Sequence, residues 1–266
     1  MKKTLKKLYL FIIFVFLYAP VFTLIIFSFN KSESRASWGG FTFKWYGDLF
    51  RDKQIMSSLY YTLAIALLAS VIATIAGTAA AVGIHNMNKP LRKLIMNVTY
   101  LPVLNPDIVT GISLMILFIF LKLNLGFVTL LLAHITFNIP YVILSVLPKL
   151  KQLNKHMYEA ALDLGAAPIK AFFKVILPEI MPGIITGFLL AFTLSLDDFI
   201  ISFFTTGSGV STLSITVYSM ARRGINPKIN ALSTLMFIAV LGLLLIINKR
   251  SSANNKDATA ALSNLI

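Results

Sequence analysis

The sequence predicts an all-α membrane protein with six transmembrane helices, and three observations carry that prediction. Hydrophobic residues make up 57% of the 266 positions and charged residues only 13%, with a mean hydropathy of +0.81. That is too apolar for a soluble domain of this length. Apolar runs of roughly eighteen or more residues recur along the chain, each long enough to cross a hydrocarbon core of about 30 Å as a helix. The Lys and Arg residues gather in alternate gaps between those runs.

Taken in order, the runs Leu8–Phe29, Ser57–Ile84 and Ile229–Ile247 carry no charge. Leu94–Leu121 is interrupted only by Asp107, Leu123–Leu147 only by His134, and Ile180–Phe204 only by Asp197 and Asp198. The first run follows Lys2, Lys3, Lys6 and Lys7. It is longer than the apolar core of a secretory signal and no small-x-small site follows it, so it is expected to be a retained anchor. Pro102 and Pro106 should break the third run, leaving its true span to begin near Asp107. Asn105-Pro106-Asp107 reads as a helix start, with Asn105 as N-cap and the acid near the positive end of the helix. Pro20, Pro140 and Pro148 read as kinks or ends.

Six spans put both termini on one side, and the basic residues identify it. The N-terminus, the Lys89–Lys93 loop, the Lys149–Lys174 loop and the tail together hold fifteen of the 24 Lys and Arg residues. The opposite side, with loops at Lys31–Met56, around Lys122 and at Gly207–Lys228, holds nine. The richer side is the cytoplasm. A single transmembrane domain is expected over 1–250, with a cytoplasmic loop at 150–178 and a polar tail at 251–266.

Several function classes fall away. There is no cysteine, so thiol catalysis, thiolate metal sites and disulfides are excluded. No G-x-x-x-x-G-K-[ST], H-E-x-x-H or G-x-S-x-G motif is present, no second acidic cluster completes a di-metal site, and no repeated halves suggest a secondary transporter. The net charge of +14 is accounted for by cytoplasmic loops facing anionic lipid. No basic soluble domain for nucleic acid accompanies it.

Polar groups inside the spans carry the candidate chemistry. An ionisable side chain in a span costs about 2.5–3.5 kcal/mol near the bilayer centre and tends to face a protein interior or pathway. Asp197 and Asp198 lie about 25–27 Å along their helix from Ile180, in the outer part of the bilayer. As neighbours about 100° apart they cannot face one lumen equally, so one can line a path while the other satisfies a helix end. A ligand role for a cationic solute and a purely structural role both stay open. His134 reads as a hydrogen-bonded packing residue. The aromatic residues of the first outer loop, Trp38, Trp45 and Tyr46, mark an interface or seat an external partner.

The stretch Glu159–Pro178, EAALDLGAAPIKAFFKVILP, is a charged and small-residue patch between two apolar runs. It reads as a short helix through Tyr158–Leu162, broken at Gly165 and Pro168, restarted through Phe172 and Phe173, and stopped before Pro178. An ordinary amphipathic loop and a docking element are both compatible with that pattern. Glu159-Ala160-Ala161, Gly165 and Val175-Ile176-Leu177-Pro178 resemble the "EAA" loop of permease subunits in bacterial ATP-binding-cassette (ABC) importers. The one departure is Val175, where that family usually has Ile. Phe41–Tyr46, Leu101-Pro102 with Pro106–Gly111, Leu194–Phe199 and Pro227–Thr234 extend the resemblance over nearly the whole chain, toward the smaller inner-membrane permease of spermidine/putrescine importers.

That resemblance implies the type I importer permease fold and a bacterial plasma-membrane location. It implies a complex with a second permease, two copies of an ATPase and an extracytoplasmic polyamine-binding protein. The chain itself would be no enzyme and need no cofactor or metal, since ATP and Mg would be held by the ATPase partner. Glu159, Ala160, Ala161, Gly165 and Pro178 would form the ATPase-coupling element. Carboxylates and aromatic faces suit a polycation, so Asp197, Asp198, Tyr218, Trp45 and Tyr46 are the candidate path residues. The competing expectations are an importer of ferric iron, thiamine or an oxyanion, and a non-transporter membrane protein.

Overall fold

The structure is a computed structural model that describes residues 2–33, 37–223, 227–238 and 241–242. Among them the regular structure is helical apart from an isolated antiparallel bridge between Asn30 and Phe41. The tail at 251–266 and most of the Ile229–Ile247 run lie outside the described residues; the run's beginning is helical over 227–238.

Helix α1 (Lys2–Ser28) passes through Pro20 without ending. The loop after it is organised by buried Asn30. Its carboxamide oxygen accepts from the N–H groups of Ser32 (3.2 Å) and Gly39 (2.8 Å), and its Nδ2 donates to the Ser37 carbonyl at 2.9 Å. One residue thus satisfies three backbone groups that an irregular loop would otherwise leave to water. Helix α2 (Lys44–Arg51) follows, burying Trp45 and Leu49. No helix was expected in this loop; eight residues are too few for hydropathy to reveal.

Helix α3 (Lys53–Asn86) is long enough to span with turns to spare. Helix α4 (Lys89–Leu104) starts at Asn88, whose side chain accepts from Leu91 N–H. Helix α5 (Asp107–Phe120) leaves α4 at 105°, the break anticipated at Pro106; Pro102, also expected to break the run, lies inside α4. Its capping differs from expectation. Asn105 closes α4 with its backbone N–H on Leu101, Pro106 is the N-cap of α5, and Asp107 occupies the first turn. Proline has no N–H to orphan, so it starts a helix without a side-chain cap.

Helix α6 (Phe127–Gln152) runs through Pro140 and Pro148 and is the most buried element, with His134 and Asn138 among its enclosed residues. Helices α7 (Lys155–Asp163) and α8 (Pro168–Ala171) flank the Gly165 turn. A π-helical turn, Phe172–Ile176, joins α8 to helix α9 (Leu177–Asp197). The expected stop before Pro178 is therefore wrong, and Pro168 begins a helix. In an α-helix the Pro178 ring would press on the carbonyl four residues back. The Leu177 N–H instead reaches the Phe172 carbonyl five residues back, a wider turn that takes up the misfit. The outcome is one continuous 30-residue helical rod from Pro168 to Asp197.

The expected helix through Ile180–Phe204 is also interrupted. Asp198 takes an extended conformation, and a separate helix α10 (Ile200–Thr205) begins beyond it. Helix α11 (Leu213–Arg223) comes last before 227–238. Among the described residues four helices, α1, α3, α6 and the Pro168–Asp197 rod, are long and apolar enough to cross a membrane, or five if α4 and α5 form one bent span.

The chain divides into two compact units, Met1–Met56 with Val217–Ile266, and Ser57–Thr216. The core of the second unit is α6 against α3 and α9, through Ala81, Ile84, Val142, Val146, Leu150, Ile180 and Ala191. A smaller cluster joins α6 to α5 and α10 through Ala133, Phe137, Phe118 and Ile201. In lipid, apolar area alone gives helices little reason to associate, so close packing at small residues matters. Gly183 and Gly187, one turn apart on α9, lie against Lys149 and Val142 of α6, and Gly77 of α3 lies against Val142.

Candidate coupling loop and substrate path

Helix α7 ends in a Schellman turn. Gly165 has φ of +83°, its N–H bonds to the Leu162 carbonyl at 2.9 Å, and Ala166 N–H bonds to Ala161 at 3.1 Å. A side chain at that φ would be strained. The turn presents apolar residues outward: Leu164 is 89% exposed and Ile169 74%. Glu159 is exposed as well, with its carboxylate 3.2 Å from His156 Nδ1 on the same face. Ala160 is exposed and Ala161 half-buried. Pro178 sits at the start of α9, beyond the loop's own helices. This is a convex, partly apolar knuckle with a charged rim and little of its surface occupied.

Asp197 and Asp198 part company at the break. Asp197 is the last residue of α9, exposed, its carboxylate with no hydrogen bond or ion pair among the described residues. Asp198 is committed inward, its side chain 8% exposed. Its two carboxylate oxygens accept from Ile201 N–H (3.2 Å) and Ser202 N–H (2.7 Å), satisfying the first donors of α10. His134 approaches from α6, with Nε2 3.5 Å from the Asp198 carboxylate and 3.1 Å from Ser202 Oγ. His134 Nδ1 lies 2.7 Å from Ser195 Oγ, which also accepts from Asn138 Nδ2 at 3.1 Å. A carboxylate only accepts, so the network assigns the imidazole proton to Nε2, and the Ser195 hydroxyl donates to Nδ1. His134 is thus the hydrogen-bonded packing residue the sequence suggested, 1% exposed.

The three aromatic candidates belong to the other unit. Trp45 is buried, its indole N–H donating to the Asn30 carbonyl at 2.7 Å. Tyr46 shares a 2.7 Å hydrogen bond with Ser28. Tyr218 is exposed, with the Arg222 guanidinium 5.9 Å from its ring centre. In the same unit a cavity of about 670 Å³ sets Glu33, Asp48 and Asp52 against Lys44, Arg223 and Lys228. Asp52 pairs with Lys228 at 3.0 Å. Burial opposes ionisation of Asp52, but the Lys228 ammonium and the N–H groups of Ile55 and Gln54 outweigh it and hold the carboxyl below the usual range.

Sequence reasoning missed the polar cluster around His134 because its members are scattered between α6, α9 and α10. The Gly183–Gly187 spacing was visible and marks a close helix contact in a span. The Asp197–Asp198 pair was the local signal that one acid would satisfy a helix end, and Asp198 does so; that the helix breaks there was not expected.

Residues 70–249 match the family described as the inner membrane component of binding-protein-dependent transport systems. Over 235 residues the chain is 44% identical to the putrescine transport system permease protein PotI of Escherichia coli (strain K12), covering 85% of this chain and 83% of that protein. Over 244 residues it is 36% identical to the spermidine/putrescine transport system permease protein PotC of the same strain, covering 92% of each. The fold is similar to a chain in the crystal structure of a bacterial ABC transporter involved in the import of the acidic polysaccharide alginate. The TM-score is 0.70 with 19% identity, over 94% of this chain and 95% of that one. These likenesses define the class: a permease subunit of the ABC-transporter kind. The chain belongs to the family of binding-protein-dependent transport inner-membrane components, and it is a multi-pass inner-membrane protein.

Proposed function

We propose that this chain is one of two permease subunits of an ATP-driven importer for spermidine and putrescine. Supporting that reading, relatives named for those solutes align along 85–92% of the chain. The observation that carries the coupling role is the exposed Glu159–Gly165 knuckle, joined by Pro168 to a rod that ends at Asp197. An ATPase pair binds ATP and Mg and seats Glu159, Ala160, Ala161 and Gly165 in a cleft, with Pro178 at the root of the span. The permease needs no cofactor of its own.

The finer architecture is a type I permease of six spans with both termini cytoplasmic, the sixth span starting within 227–238. The Lys and Arg distribution supports it. So does the cavity that joins Glu33 and Asp48 to Arg223 and Lys228, residues from the two segments assigned to the outer face. That face receives an extracytoplasmic polyamine-binding protein, and lipid and the second permease cover the remaining surface. In the path, Asp197 offers its unpaired carboxylate to the polycation while Asp198 holds the helix break behind it. Tyr218, Trp45 and Tyr46 are the aromatic candidates for the outer stretch of the route. Binding here is weak by design, because a tight intramembrane site would slow release.

The test is uptake by proteoliposomes carrying the complete set of subunits, fed with labelled putrescine and spermidine. ATP-dependent uptake of at least one, lost in Glu159→Lys while ATP hydrolysis persists, is the expected result. Uptake of ferric iron, thiamine or an oxyanion in place of both polyamines would overturn the substrate assignment. Normal uptake by Glu159→Lys would overturn the coupling assignment.

A further inference from the structure

The most enclosed polar cluster in the second unit lies outside both the coupling knuckle and the proposed solute contacts. His134, Asn138, Ser195 and Ser202 are all buried. Buried polar groups in a span are expensive unless paired. Here the pairing forms a directed chain, with the Asn138 Oδ1 acceptor left without a hydrogen-bond partner among the described residues. Asn138 Nδ2 donates to Ser195 Oγ, the Ser195 hydroxyl donates to His134 Nδ1, and His134 Nε2–H faces Ser202 Oγ and the Asp198 carboxylate. Two of the four groups are on α6, one is on the last turns of α9, and one is on α10. The chain therefore bridges both sides of the break from a third helix.

The break needs such a bridge. Between Asp197 and Ile200 the backbone leaves the helical ladder, and α10 has only six residues. A helix that short cannot hold its own direction. Its first N–H groups depend on Asp198, and Asp198 in turn faces His134. Asp197 is covalently next to that anchor, and its side chain has no hydrogen bond or ion pair of its own among the described residues.

We infer that His134 is a positioning residue for the polycation path: through Nδ1 to Ser195 and Nε2–H to Asp198 and Ser202 it clamps both ends of the break and so fixes where Asp197 presents its carboxylate. This rests on the path reading of Asp197. It assigns the specificity of placement to a histidine that touches no solute.

The chemistry predicts which replacements work. A glutamine amide nitrogen lies where Nε2 does and keeps a donor toward Asp198 and Ser202. Leucine fills a similar volume and donates nothing. The chain has no cysteine, so Asp197→Cys supplies a single thiol as a reporter of where position 197 sits. Labelling of that thiol by a membrane-impermeant cationic methanethiosulfonate reagent is measured in the fully assembled complex, with and without spermidine. In parallel, spermidine turnover per assembled complex is measured in chains that retain Asp197.

The expected result has three parts. The thiol introduced by Asp197→Cys is labelled, and spermidine slows the labelling. Adding His134→Leu changes the labelling rate at least tenfold, and adding His134→Gln leaves it within threefold. His134→Leu alone lowers turnover at least tenfold without moving the half-saturating concentration of loaded binding protein, and His134→Gln retains a third or more. Should His134→Leu fail to reach the membrane, Ser195→Ala, which removes the Nδ1 partner together with the acceptor for Asn138 Nδ2, is expected to shift the labelling in the same sense by at least threefold.

The two readings fail differently. An introduced thiol that is never labelled, or is labelled without protection by spermidine, overturns the path reading of Asp197. Labelling that is protected yet identical in the leucine, glutamine and Ser195→Ala backgrounds overturns the clamp. Equal turnover in His134→Leu and His134→Gln overturns it too, because packing alone would then suffice.

Discussion

Helices α1 and α6 both qualify as membrane spans, yet the more apolar of the two buries, among its described side chains, only Ser28 at its end. The best window of α1 has a mean hydropathy of 2.8 and no buried residue, whereas that of α6 has 1.9 and is more than half buried. In water the order would be reversed, with the most hydrophobic helix at the centre. In lipid, apolar surface is already at home, so hydropathy measures how much of a helix the bilayer sees. What draws α6 to the centre is the small and polar inventory that lipid would refuse: Thr129, His134, Asn138 and the surfaces that meet Gly77, Gly183 and Gly187.

The contrast breaks most readily at α9. In Gly187→Leu the new Cβ alone would lie 3.3 Å from the Val142 Cα and 3.4 Å from Ser145 Cβ, and the branched tip has no room beyond. Overpacking of this kind destabilises by about 3 kcal/mol, which is roughly 6–12 °C in the melting temperature of a subunit this size. Thermal melting in detergent measures it. An unchanged midpoint would mean that α6 and α9 do not meet as described.

Next in size is Asn30→Ala at the end of α1. It removes the acceptor for Ser32 and Gly39 and the donor to Ser37. Leaving such groups unpaired costs about 2 kcal/mol. Faster proteolysis of the 31–44 segment, with the melting of the remainder little changed, is the expected signature.

A smaller effect concerns the Asp52–Lys228 pair. Because the folded carboxyl titrates below its unfolded value, its contribution is complete above the ordinary carboxylate range. It fades as pH falls through the lowered folded value. Proteolytic susceptibility of the 44–56 segment should thus rise on acidification below the ordinary carboxylate range, and Asp52→Asn should show the raised susceptibility already at pH 7 with a flatter acid limb. Identical profiles would remove the pair from the stability of that unit.

The smallest effect belongs to α1 itself. Phe16→Ala should move the melting of the isolated subunit by less than about 0.5 kcal/mol, since Phe16 is exposed along with its neighbours. If the same change releases the second permease in a pull-down, the surface of α1 faces a subunit, which would sharpen the rule: apolar helices outside one chain can still be inside a complex.

How much of this was legible follows from the same physics. The spans α1, α3, α6 and α9 could be read because a bilayer demands long uncharged runs, and the α4–α5 bend because Pro106 crowds the ladder. The path of the chain through Pro168 and Pro178 could not be read, because proline opens a helix as readily as it closes one and a π turn has no spacing signal. Nor could the Asp198 break. The groups that meet Asp198 there include a histidine more than sixty positions earlier in the chain, and hydropathy is silent about partners.

The uninterrupted rod from Pro168 to Asp197 has a mechanical corollary. Thirty residues at 1.5 Å each make a lever about 45 Å long, with its foot beside the knuckle and a carboxylate at its tip. A tilt of about 10° at the foot sweeps the tip through about 8 Å, more than twice the reach of a hydrogen bond. Small strokes on one face of the membrane thus become large displacements near the other, through a helix whose soft points are the five-residue π turn and Pro182.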